Sequence, residues 1–308
     1  MSQQPNTPNS GGVQTTGHVW DDTLQEYNNP LPNWWLWTFY GTLLLSLVYW
    51  FTYPAFPVGK SYTKGFNTIT YVNSAGEKVT THWNMRSQLM KEMNEQDEKQ
   101  KPYFKKISSM SYTQIAKDPE ALGFVNSAGK ALFNENCAAC HQVGGGGKVG
   151  YFPNLTDDDW LYGGTHQKIE ETLKNGRRGY MPPFKEVLDE NQITNLASYV
   201  LSLSGVKVDP ARAEEGNKLF HSETAACYYC HNTDAKGRQV IGAPNLTDKI
   251  WLWANVPEQN TPEGKLAEVK TVITNGLNKG VMPAWKERLK PEQIKVLTAY
   301  VHALGGGK

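Results

Sequence analysis

Apolar residues recur three and four positions apart in several separate stretches between residues 122 and 304. Such spacing places them on one face of a helix, and glycines or prolines bound several of the stretches, as they do at helix ends. No stretch in this region alternates convincingly between apolar and polar residues, as a strand would. The pattern predicts a mainly α fold, with helices over residues 122–140, 168–175, 189–203, 214–230, 266–275 and 291–304.

A longer apolar run lies near the N-terminus. No charged residue occurs between Glu26 and Lys60, and residues 34–53 are almost wholly apolar. At about 1.5 Å per residue this run spans about 30 Å, the thickness of a bilayer's hydrocarbon core. Tryptophan and tyrosine at both ends are typical of the membrane interface. We expect one transmembrane helix over 34–56 after a polar segment over 1–33. A cleaved signal peptide is disfavoured, because no Lys or Arg precedes the run.

Residues 57–121 have a mixed pattern that is typical of a linker. Residues 68–72 and 77–83 read as two strands of a small hairpin, joined by a turn that contains Gly76. Residues 84–101 are polar and strongly helix-forming, with Met85, Leu89, Met90 and Met93 on one side. We expect this helix to pack that side against a neighbour.

The rest of the chain contains an internal sequence repeat of two copies. The second copy follows the order of the first, with extra residues in a loop around 257–264. A repeat with an insertion in a loop indicates two copies of one small domain, which we place at 122–204 and 205–308. The recurring elements are Pro153-Asn154-Leu155-Thr156 with Pro244-Asn245-Leu246-Thr247, Trp160 with Trp251, Asn175-Gly176 with Asn275-Gly276, Met181-Pro182 with Met282-Pro283, and Tyr199-Val200 with Tyr300-Val301.

Every cysteine of the chain belongs to a C-x-x-C-H motif, the attachment signature of c-type haem. Cysteines three apart on a helix share a face, so both thiols reach one porphyrin, and the adjacent histidine reaches its iron. Zinc usually takes two separated ligand pairs, and a redox dithiol needs no neighbouring histidine. The motifs therefore predict two covalently attached haem c groups, held by Cys137, Cys140 and His141 and by Cys227, Cys230 and His231.

Met181 and Met282 are the candidates for the sixth iron ligand. They occupy equivalent places in the two copies, each is followed by proline, and neither copy contains another methionine. A thioether is a soft ligand that raises the reduction potential of haem iron. Core packing is the usual role of a methionine. The repeated position favours ligation here, and an iron with both axial positions filled favours electron transfer over oxygen or peroxide chemistry.

The other histidines have weaker claims to a functional role. His166, His221 and His302 have no counterpart in the opposite copy, so we expect surface or packing roles for them. The glycine run 144–147 follows the first motif and lacks the Lys-Ser/Thr ending of a phosphate-binding loop. We expect it to form a permissive turn beside the haem.

Charge gives little information about partners. The chain has 31 basic and 30 acidic residues, for a net charge of +1. Proteins that bind nucleic acid usually concentrate basic residues on one face, and no segment here does so. We therefore expect no nucleic-acid partner.

The residues at 26–42, EYNNPLPNWWLWTFYGT, resemble the membrane anchor of the dihaem subunit of cbb3-type cytochrome c oxidases, the CcoP/FixP family. The order of parts is also similar: one helix, a linker, and two C-x-x-C-H domains with Met-Pro loops. The hairpin in the linker departs from this pattern, since shorter connections are common in the family. The resemblance covers almost the whole chain.

The resemblance implies a membrane-anchored electron carrier within an oxidase. Such a subunit takes electrons from a soluble cytochrome c and passes them to a monohaem cytochrome c subunit and then to the haem–copper catalytic subunit, which reduces oxygen and pumps protons. This chain has no copper ligands, so the oxygen-reducing site lies elsewhere. By position, the resemblance implies His141 and Met181 as ligands of one iron, and His231 and Met282 as ligands of the other. The sequence leaves open whether methionine ligation crosses between the two domains.

Covalent haem attachment takes place outside the bacterial inner membrane, so we expect a single-pass protein with periplasmic haem domains and a cytoplasmic N-terminus. Lys60 and Lys64 follow the apolar run and argue for the opposite orientation, but long domains translocate largely regardless of charge. Two alternatives remain open. One is a membrane-anchored dihaem carrier outside any oxidase, and the other is a dihaem peroxidase with an open sixth position on one iron.

Overall fold

The computed structural model describes residues 14–278 and 280–305, so part of the polar segment predicted over 1–33 and the end of the second copy lie outside the described residues. The described part is mainly helical and divides into a first unit that ends at Lys99 and a second unit that begins at Gln100. Its helices are α1 (Asn33–Thr52), α2 (Met85–Ser109), α3 (Tyr112–Lys117), α4 (Pro119–Asn136), α5 (Ala138–His141), α6 (His166–Asn175), α7 (Glu190–Leu203), α8 (Pro210–Phe220), α9 (Tyr228–His231), α10 (Pro262–Asn275) and α11 (Pro291–Ala303).

Short antiparallel pairs make up the strands of the described residues. In the first unit they include the predicted hairpin, in which Thr70 faces Thr80 and their hydroxyls hydrogen-bond at 2.8 Å. The sequence pattern did not indicate the other pairs. The strands are β1 (Thr15–Trp20) with β2 (Leu24–Tyr27), β3 (Pro57–Val58) with β4 (Ser61–Tyr62), β5 (Thr68–Val72) with β6 (Lys78–His82), and β7 (Arg177–Arg178) with β8 (Val281–Met282).

Helix α1 occupies most of the predicted membrane segment over 34–56. It is 20 residues long, and none of its side chains is buried. Judged by length and mean hydropathy together, none of the helices in the described residues qualifies as a membrane span. The predicted transmembrane helix is therefore present as a helix but is not confirmed as a span. Tryptophan, tyrosine and threonine hold down the mean hydropathy of this segment.

The predicted linker helix over 84–101 is longer than expected. Helix α2 continues through Pro102 to Ser109, and its first part leaves Met85, Leu89 and Met93 mainly exposed. Its last turns belong to the second unit, where Ile107 is buried with Ile115 of α3. The C-terminal part of the predicted linker thus contributes to the core that carries the two copies.

Side-chain caps start the main helices of the second unit. Asp118 accepts hydrogen bonds from two backbone amides at the start of α4, and Asp189 forms a capping box with Gln192 at the start of α7. Proline occupies the first turn of α4, α8, α10 and α11, where its missing N–H costs nothing. The predicted starts of α7 and α11 agree with the structure to within one residue, whereas α4, α8 and α10 begin three or four residues earlier than predicted, at their first-turn prolines.

The packing of the helices crosses the two copies. The closing helix of the first copy, α7, packs on α8 and α10 of the second copy, and the closing helix of the second copy, α11, packs on α4 and α6 of the first. Only residues 204–209 separate α7 from α8, and a short connection favours packing between consecutive helices. Each small core is therefore built from both halves of the sequence.

Two apolar clusters result. The first cluster contains Phe133, Leu173 and Leu297, and the second contains Phe220, Ile273 and Leu196. Phe133 and Leu297 are fully buried, although 163 residues lie between them in the chain. A third cluster, around Val125 and Val296, joins α4 and α11 to the end of α2 and to α3.

Two predictions from the helical pattern need correction. The helices before the motifs do not run into them: α4 ends at Asn136 and α8 at Phe220, and each motif has its own short helix. Phe220 precedes Cys227 by three residues more than Phe133 precedes Cys137, and Ala226, at φ 50°, breaks the extra stretch. The repeats also contain strands, since β7 of the first copy pairs with β8 of the second.

Candidate haem-binding site

Each C-x-x-C-H motif is wound into a single helical turn. The backbone N–H of His141 donates to the Cys137 carbonyl at 2.9 Å, and that of His231 donates to the Cys227 carbonyl at 2.9 Å. The first cysteine of each motif packs into an apolar cluster, and the second is exposed. All four thiols are free, as attachment to a porphyrin requires.

Burial raises the pKa of the first thiol in each motif. The pKa of Cys137 and that of Cys227 each rise to about 11, chiefly because desolvation penalises the thiolate. Reactive or metal-binding thiols usually have lowered pKa values. Among the described residues, no group of three or more His, Cys, Asp or Glu side chains is arranged to hold a metal ion.

The two motif histidines are held in the same way. His141 Nδ1 lies 3.0 Å from the Pro153 carbonyl oxygen, and His231 Nδ1 lies 3.1 Å from that of Pro244. When Nδ1–H donates to this carbonyl, the tautomer is set and Nε2 is left to bind a metal. Desolvation lowers the pKa of both imidazoles, which favours the neutral form that ligates iron. The repeated Pro-Asn-Leu-Thr sequence was the signal for this contact.

The methionines lie with the opposite copy's motif. Met282 packs against the first cluster, which contains Cys137, and Met181 packs against the second cluster, beside Cys227. The pairing expected by position, His141 with Met181 and His231 with Met282, is therefore not the arrangement of the structure. The cause is the crossed packing of the closing helices, because each Met-Pro loop directly precedes the segment that leads into its closing helix.

Backbone contacts fix each methionine loop on the other copy. Met181 N donates to the Leu277 carbonyl at 2.9 Å, and Leu277 N donates back at 2.8 Å. At the equivalent positions of the other site, Met282 pairs with Arg177 in the β7–β8 ladder. The Asn-Gly sequences that recur before these positions end α6 and α10 and turn the chain toward the methionine loops.

Gly176 and Gly276 make this close approach possible. Gly176 has φ +69°, and a Cβ there would lie 2.8 Å from the Ala284 nitrogen. Gly276 has φ +63°, and a Cβ there would lie 2.6 Å from the Pro182 carbonyl carbon. Both positions therefore exclude a side chain on steric and conformational grounds.

A continuous cavity of about 550 Å³ joins the two motifs. Its lining is predominantly apolar and includes His141, His231, Met181 and Met282. A large apolar cavity with a few polar groups is the usual form of a cofactor site. All eight predicted site residues line it or lie in the motifs that line it, so the structure brings the predicted residues together.

The indole N–H of Trp160 has no hydrogen-bond partner in the part of the chain that the structure describes, which indicates that a bound group in this cavity accepts a hydrogen bond from it. Trp160 lines the cavity, and its Nε1 is buried without a hydrogen-bond partner among the described residues. Buried donors are almost always paired in native proteins. The carboxylates of haem are acceptors of the kind that this N–H lacks, so the residues present fit haem. The repeated tryptophan was visible in the sequence, but its unpaired N–H was not.

The cavity wall contains a basic group that only the first copy supplies. Arg177 lies in the cavity wall, where it donates to Thr172 Oγ1 at 2.9 Å, pairs with Glu171 at 3.1 Å, and stacks over Tyr162 at 4.7 Å. Its counterpart in the second copy is Leu277. Neither Arg177 nor Tyr162 recurs in the repeat, so the repeated pattern does not predict them.

Asp159 is an acidic group in the cavity wall. Burial raises its pKa to about 6, and the negative charges of Asp248 and Asp157 add to the effect. Burial also raises the pKa of Asp157 and that of Asp248. The motif-based reasoning did not indicate this group, since its counterpart in the second copy is Ile250.

The remaining histidines have the packing roles that the sequence suggested. His166 and His302 stack with ring centroids 3.7 Å apart, and Tyr112 stacks on His166 at 4.3 Å. His221 contacts the carbonyl oxygens of Asn217 and Thr233. In the glycine run, Gly147 N donates to the His141 carbonyl at 2.9 Å, which places this turn beside the motif as expected.

Comparisons with known proteins agree with this arrangement of parts. Residues 12–60 match the family model described as the N-terminal domain of cytochrome oxidase-cbb3, FixP, and residues 125–200 and 211–301 match that of cytochrome c oxidase, cbb3-type, subunit III. The chain is 42% identical to the cbb3-type cytochrome c oxidase subunit FixP of Azorhizobium caulinodans, with 97% of this chain and 95% of the relative covered. It is 40% identical to subunit CcoP of Azospirillum brasilense, with 96% and 97% covered. It is 37% identical to subunit CcoP of Cereibacter sphaeroides, with both chains covered completely at 100%.

Proposed function

The chain belongs to the family of cbb3-type cytochrome c oxidase subunit III, and from this premise we propose that it carries electrons on two haem c groups to the other subunits of an oxidase. Membership of the family implies haem c binding. Two motifs in equivalent settings, each with its own apolar cluster and its own methionine, support a count of two.

The proposed attachment uses Cys137 and Cys140 for one haem and Cys227 and Cys230 for the other. His141 would ligate the first iron and His231 the second, each through the Nε2 that its hydrogen bond to a proline carbonyl leaves free. The pairing of each motif with the other copy's methionine in one apolar cluster is the observation that carries the ligand assignment. Met282 would therefore ligate the His141 iron.

Met181 completes the second site with His231. When bound, haem supplies one-electron redox chemistry at its iron. The protein's own groups would hold both axial ligands, bury Cys137 and His141, half-bury Cys227 and His231, and surround the cofactor with predominantly apolar walls. Filling both axial positions disfavours binding of oxygen or peroxide, so this arrangement supports electron transfer rather than the peroxidase alternative.

The second part of the proposal places helix α1 in the bacterial inner membrane as a single anchor. It contains no charged residue, and its large apolar side chains, including Leu44, Leu45 and Phe51, are mainly exposed. A helix with such a surface gains free energy in lipid, and tryptophan and tyrosine favour the interface. The haem-binding unit would lie in the periplasm, where haem is attached, with the N-terminus in the cytoplasm.

The proposed partners follow from the family. A soluble cytochrome c would donate electrons, and a monohaem cytochrome c subunit and a haem–copper catalytic subunit would receive them in turn. Oxygen reduction and proton pumping belong to the catalytic subunit. A stand-alone dihaem carrier remains the second candidate.

Purification of the full chain in mild detergent tests the assignment. We expect a haem–copper subunit and a monohaem cytochrome to co-purify with it, and gels stained for haem to show covalent haem on this chain. Removal of residues 34–53 should release the haem-stained chain into the soluble fraction. Purification of the intact chain without a haem–copper subunit would favour the stand-alone carrier, and cyanide binding to a five-coordinate haem would favour the peroxidase.

Variants of the methionines test the ligands. Met181→Ala and Met282→Ala should each remove half of the sulfur-to-iron absorption band of the oxidised protein. Met110→Ala, in the same unit but outside both clusters that hold the motifs, is the control and should leave the band intact. If either Met181→Ala or Met282→Ala keeps the full band, the ligand assignment is wrong.

A further inference from the structure

Tyr162 of the first copy lies against two loops of the opposite haem site. A Cβ on Gly242 would come within 2.7 Å of Tyr162 Cε1, so the ring fits only because Gly242 has no side chain. Gly242 lies two residues before Pro244, whose carbonyl holds His231. The Tyr162 hydroxyl also faces Gly179, where a Cβ would lie 3.7 Å away. Gly179 lies two residues before Met181.

Trp253 has the equivalent position in the second copy, where its ring meets the methionine-side loop and the backbone of its segment meets the histidine-side loop. A Cβ on Gly280 would lie 2.9 Å from Trp253 Cη2, and Gly280 lies two residues before Met282. The residue before Trp253, Leu252, accepts a hydrogen bond at 2.7 Å from the N–H of Gly150. Gly150 belongs to the loop that leads to Pro153, whose carbonyl holds His141.

Each aromatic segment therefore touches both sides of one proposed haem site. Tyr162 contacts the histidine-side and methionine-side loops of the site formed by His231 and Met181, although its own copy carries the other motif. The segment of Trp253 does the same for the site formed by His141 and Met282. Both rings also line the continuous cavity.

Additional contacts hold Tyr162 in place. The Arg177 guanidinium lies 4.7 Å from the ring centroid, and Thr172 and Glu171 fix that guanidinium. A stacked and ion-paired arginine favours this orientation of the ring. Tyr162 thus connects the wall of one haem site rigidly to the loops of the other.

We propose that Tyr162 and Trp253 are positioning residues that set the distance between the histidine-side and methionine-side loops of the haem site in the opposite copy. This inference rests on the proposed crossed ligation. Loss of the ring would allow the methionine loop to move away from the iron, because Gly179 and Gly280 provide no side chain that could fill the space. The effect of each substitution would fall on the haem attached to the other copy.

The test uses the haem-loaded full chain in two backgrounds. In Met282→Ala, the remaining sulfur-to-iron band reports only the Met181 site, and in Met181→Ala it reports only the Met282 site. We expect Tyr162→Ala to abolish the band in the Met282→Ala background and to leave it intact in the Met181→Ala background. Trp253→Ala should give the reverse result. Tyr162→Phe keeps the ring and should retain the remaining band in each background.

A second variant separates positioning from misfolding. Gly242→Ala should displace the Tyr162 ring from the other side and give the same selective loss as Tyr162→Ala, with a lowered midpoint potential only for the His231 haem. Equal effects on both haems, or none, would overturn the proposal. If Met181→Ala or Met282→Ala alone keeps the full band, the ligand assignment fails, which differs from a failure of Tyr162 to act.

Discussion

The backbone of Met181 exchanges two hydrogen bonds with that of Leu277, at 2.9 and 2.8 Å, although the residues belong to different copies of the repeat. Leu277 follows α10, which packs in the cluster with Cys227. The pair therefore holds Met181 at the site of the opposite motif. The same relation between Arg177 and Met282 holds the other methionine loop. The two halves of the sequence are consequently interdependent: neither copy contains both axial ligands of one proposed haem.

Replacing Gly176 by alanine should disrupt the docking of the Met282 loop. The new Cβ would lie 2.8 Å from the Ala284 nitrogen, and φ of +69° is unfavourable for any side chain. We expect the free energy of unfolding to fall by about 2–4 kcal/mol, together with loss of the Met282 contribution to the sulfur-to-iron band. Chemical denaturation and absorption spectra of the oxidised protein measure both effects.

Gly205→Ala is the matched control for that substitution. Gly205 has a similar φ of +81°, but a Cβ there would meet no atom within 4 Å. It should cost only the conformational penalty, about 1–2 kcal/mol, and leave both bands intact. Equal losses of stability for the two variants, with both bands kept, would show that the close approach at Gly176 is unimportant for the methionine loop.

Leu297→Ala should damage the site of the first motif although Leu297 lies in the second copy. Leu297 is fully buried in the cluster that contains Cys137 and Met282. Truncation of a buried leucine typically costs about 2–5 kcal/mol, because it leaves a cavity. As denaturant is added, we expect the contribution of Met282 to the sulfur-to-iron absorption band to weaken before that of Met181. The equivalent variant, Leu196→Ala, should weaken the Met181 band first.

The exposed Val187 provides the control for these truncations, since Val187→Ala should change the free energy of unfolding by no more than about 0.5 kcal/mol. If Leu297→Ala weakened the Met181 contribution to the sulfur-to-iron band first, the crossed pairing would be wrong and each copy would contain its own complete site.

The local features of the site were predictable from the sequence, whereas the pairing of its parts was not. Cysteine spacing, the helix-starting prolines and the repeated Met-Pro and Pro-Asn-Leu-Thr sequences all act within a few residues. Leu196 and Leu297, in contrast, occupy equivalent positions on similar helices, so either can fill the same groove. Their burial pattern does not indicate which copy they pack against. The short connection over 204–209 was the one sequence feature that favoured contact between α7 and α8.

Residues that have no counterpart in the other copy could not be predicted from the repeated pattern either. Arg177 corresponds to Leu277 and Asp159 to Ile250, so a search for repeated chemistry passes over them. Helix α1 is a related case: its apolar character is evident from the sequence, yet its aromatic and hydroxyl side chains lower its mean hydropathy, so the structure does not confirm it as a membrane span. Only the structure shows that the differences between the copies at Arg177 and Asp159 lie in the wall of the cavity.

Acidification should weaken the contact between His166 and His302. Their rings stack at 3.7 Å, and desolvation lowers the pKa of both, with the charge of His302 adding to the effect on His166. The folded state thus prefers neutral imidazoles. Because the unfolded state binds protons more readily, the free energy of unfolding should fall as the pH drops below about 6.5, the ordinary pKa of histidine.

Replacement by phenylalanine separates this effect from general acid denaturation. His302→Phe retains an aromatic ring in the stack but cannot be protonated, so stability should fall less between pH 7 and pH 5 than in the wild-type chain (roughly the histidine titration range). His82→Phe, in the other unit, should follow the wild-type curve. Identical slopes for His302→Phe and wild type would exclude the stack as a source of pH dependence.

Asp159→Asn should stabilise the protein at neutral pH. Burial, together with the charges of Asp248 and Asp157, raises the pKa of Asp159 from 3.8 to about 6. The folded state therefore holds this proton more tightly than the unfolded state, and wild-type stability is lost as the pH rises from about 4 through about 6. Since one pKa unit corresponds to about 1.4 kcal/mol, the gain from the amide should reach at most about 3 kcal/mol above pH 6 and vanish near pH 4. Denaturant unfolding of both proteins across this range measures the difference.

Asp158→Asn, at an exposed neighbouring position, should show no such pH-dependent gain. A variant no more stable than wild type at pH 7.5 would mean that a favourable partner compensates the ionised Asp159 carboxylate (the test lies about 1.5 units above its pKa, where the carboxylate is almost fully charged).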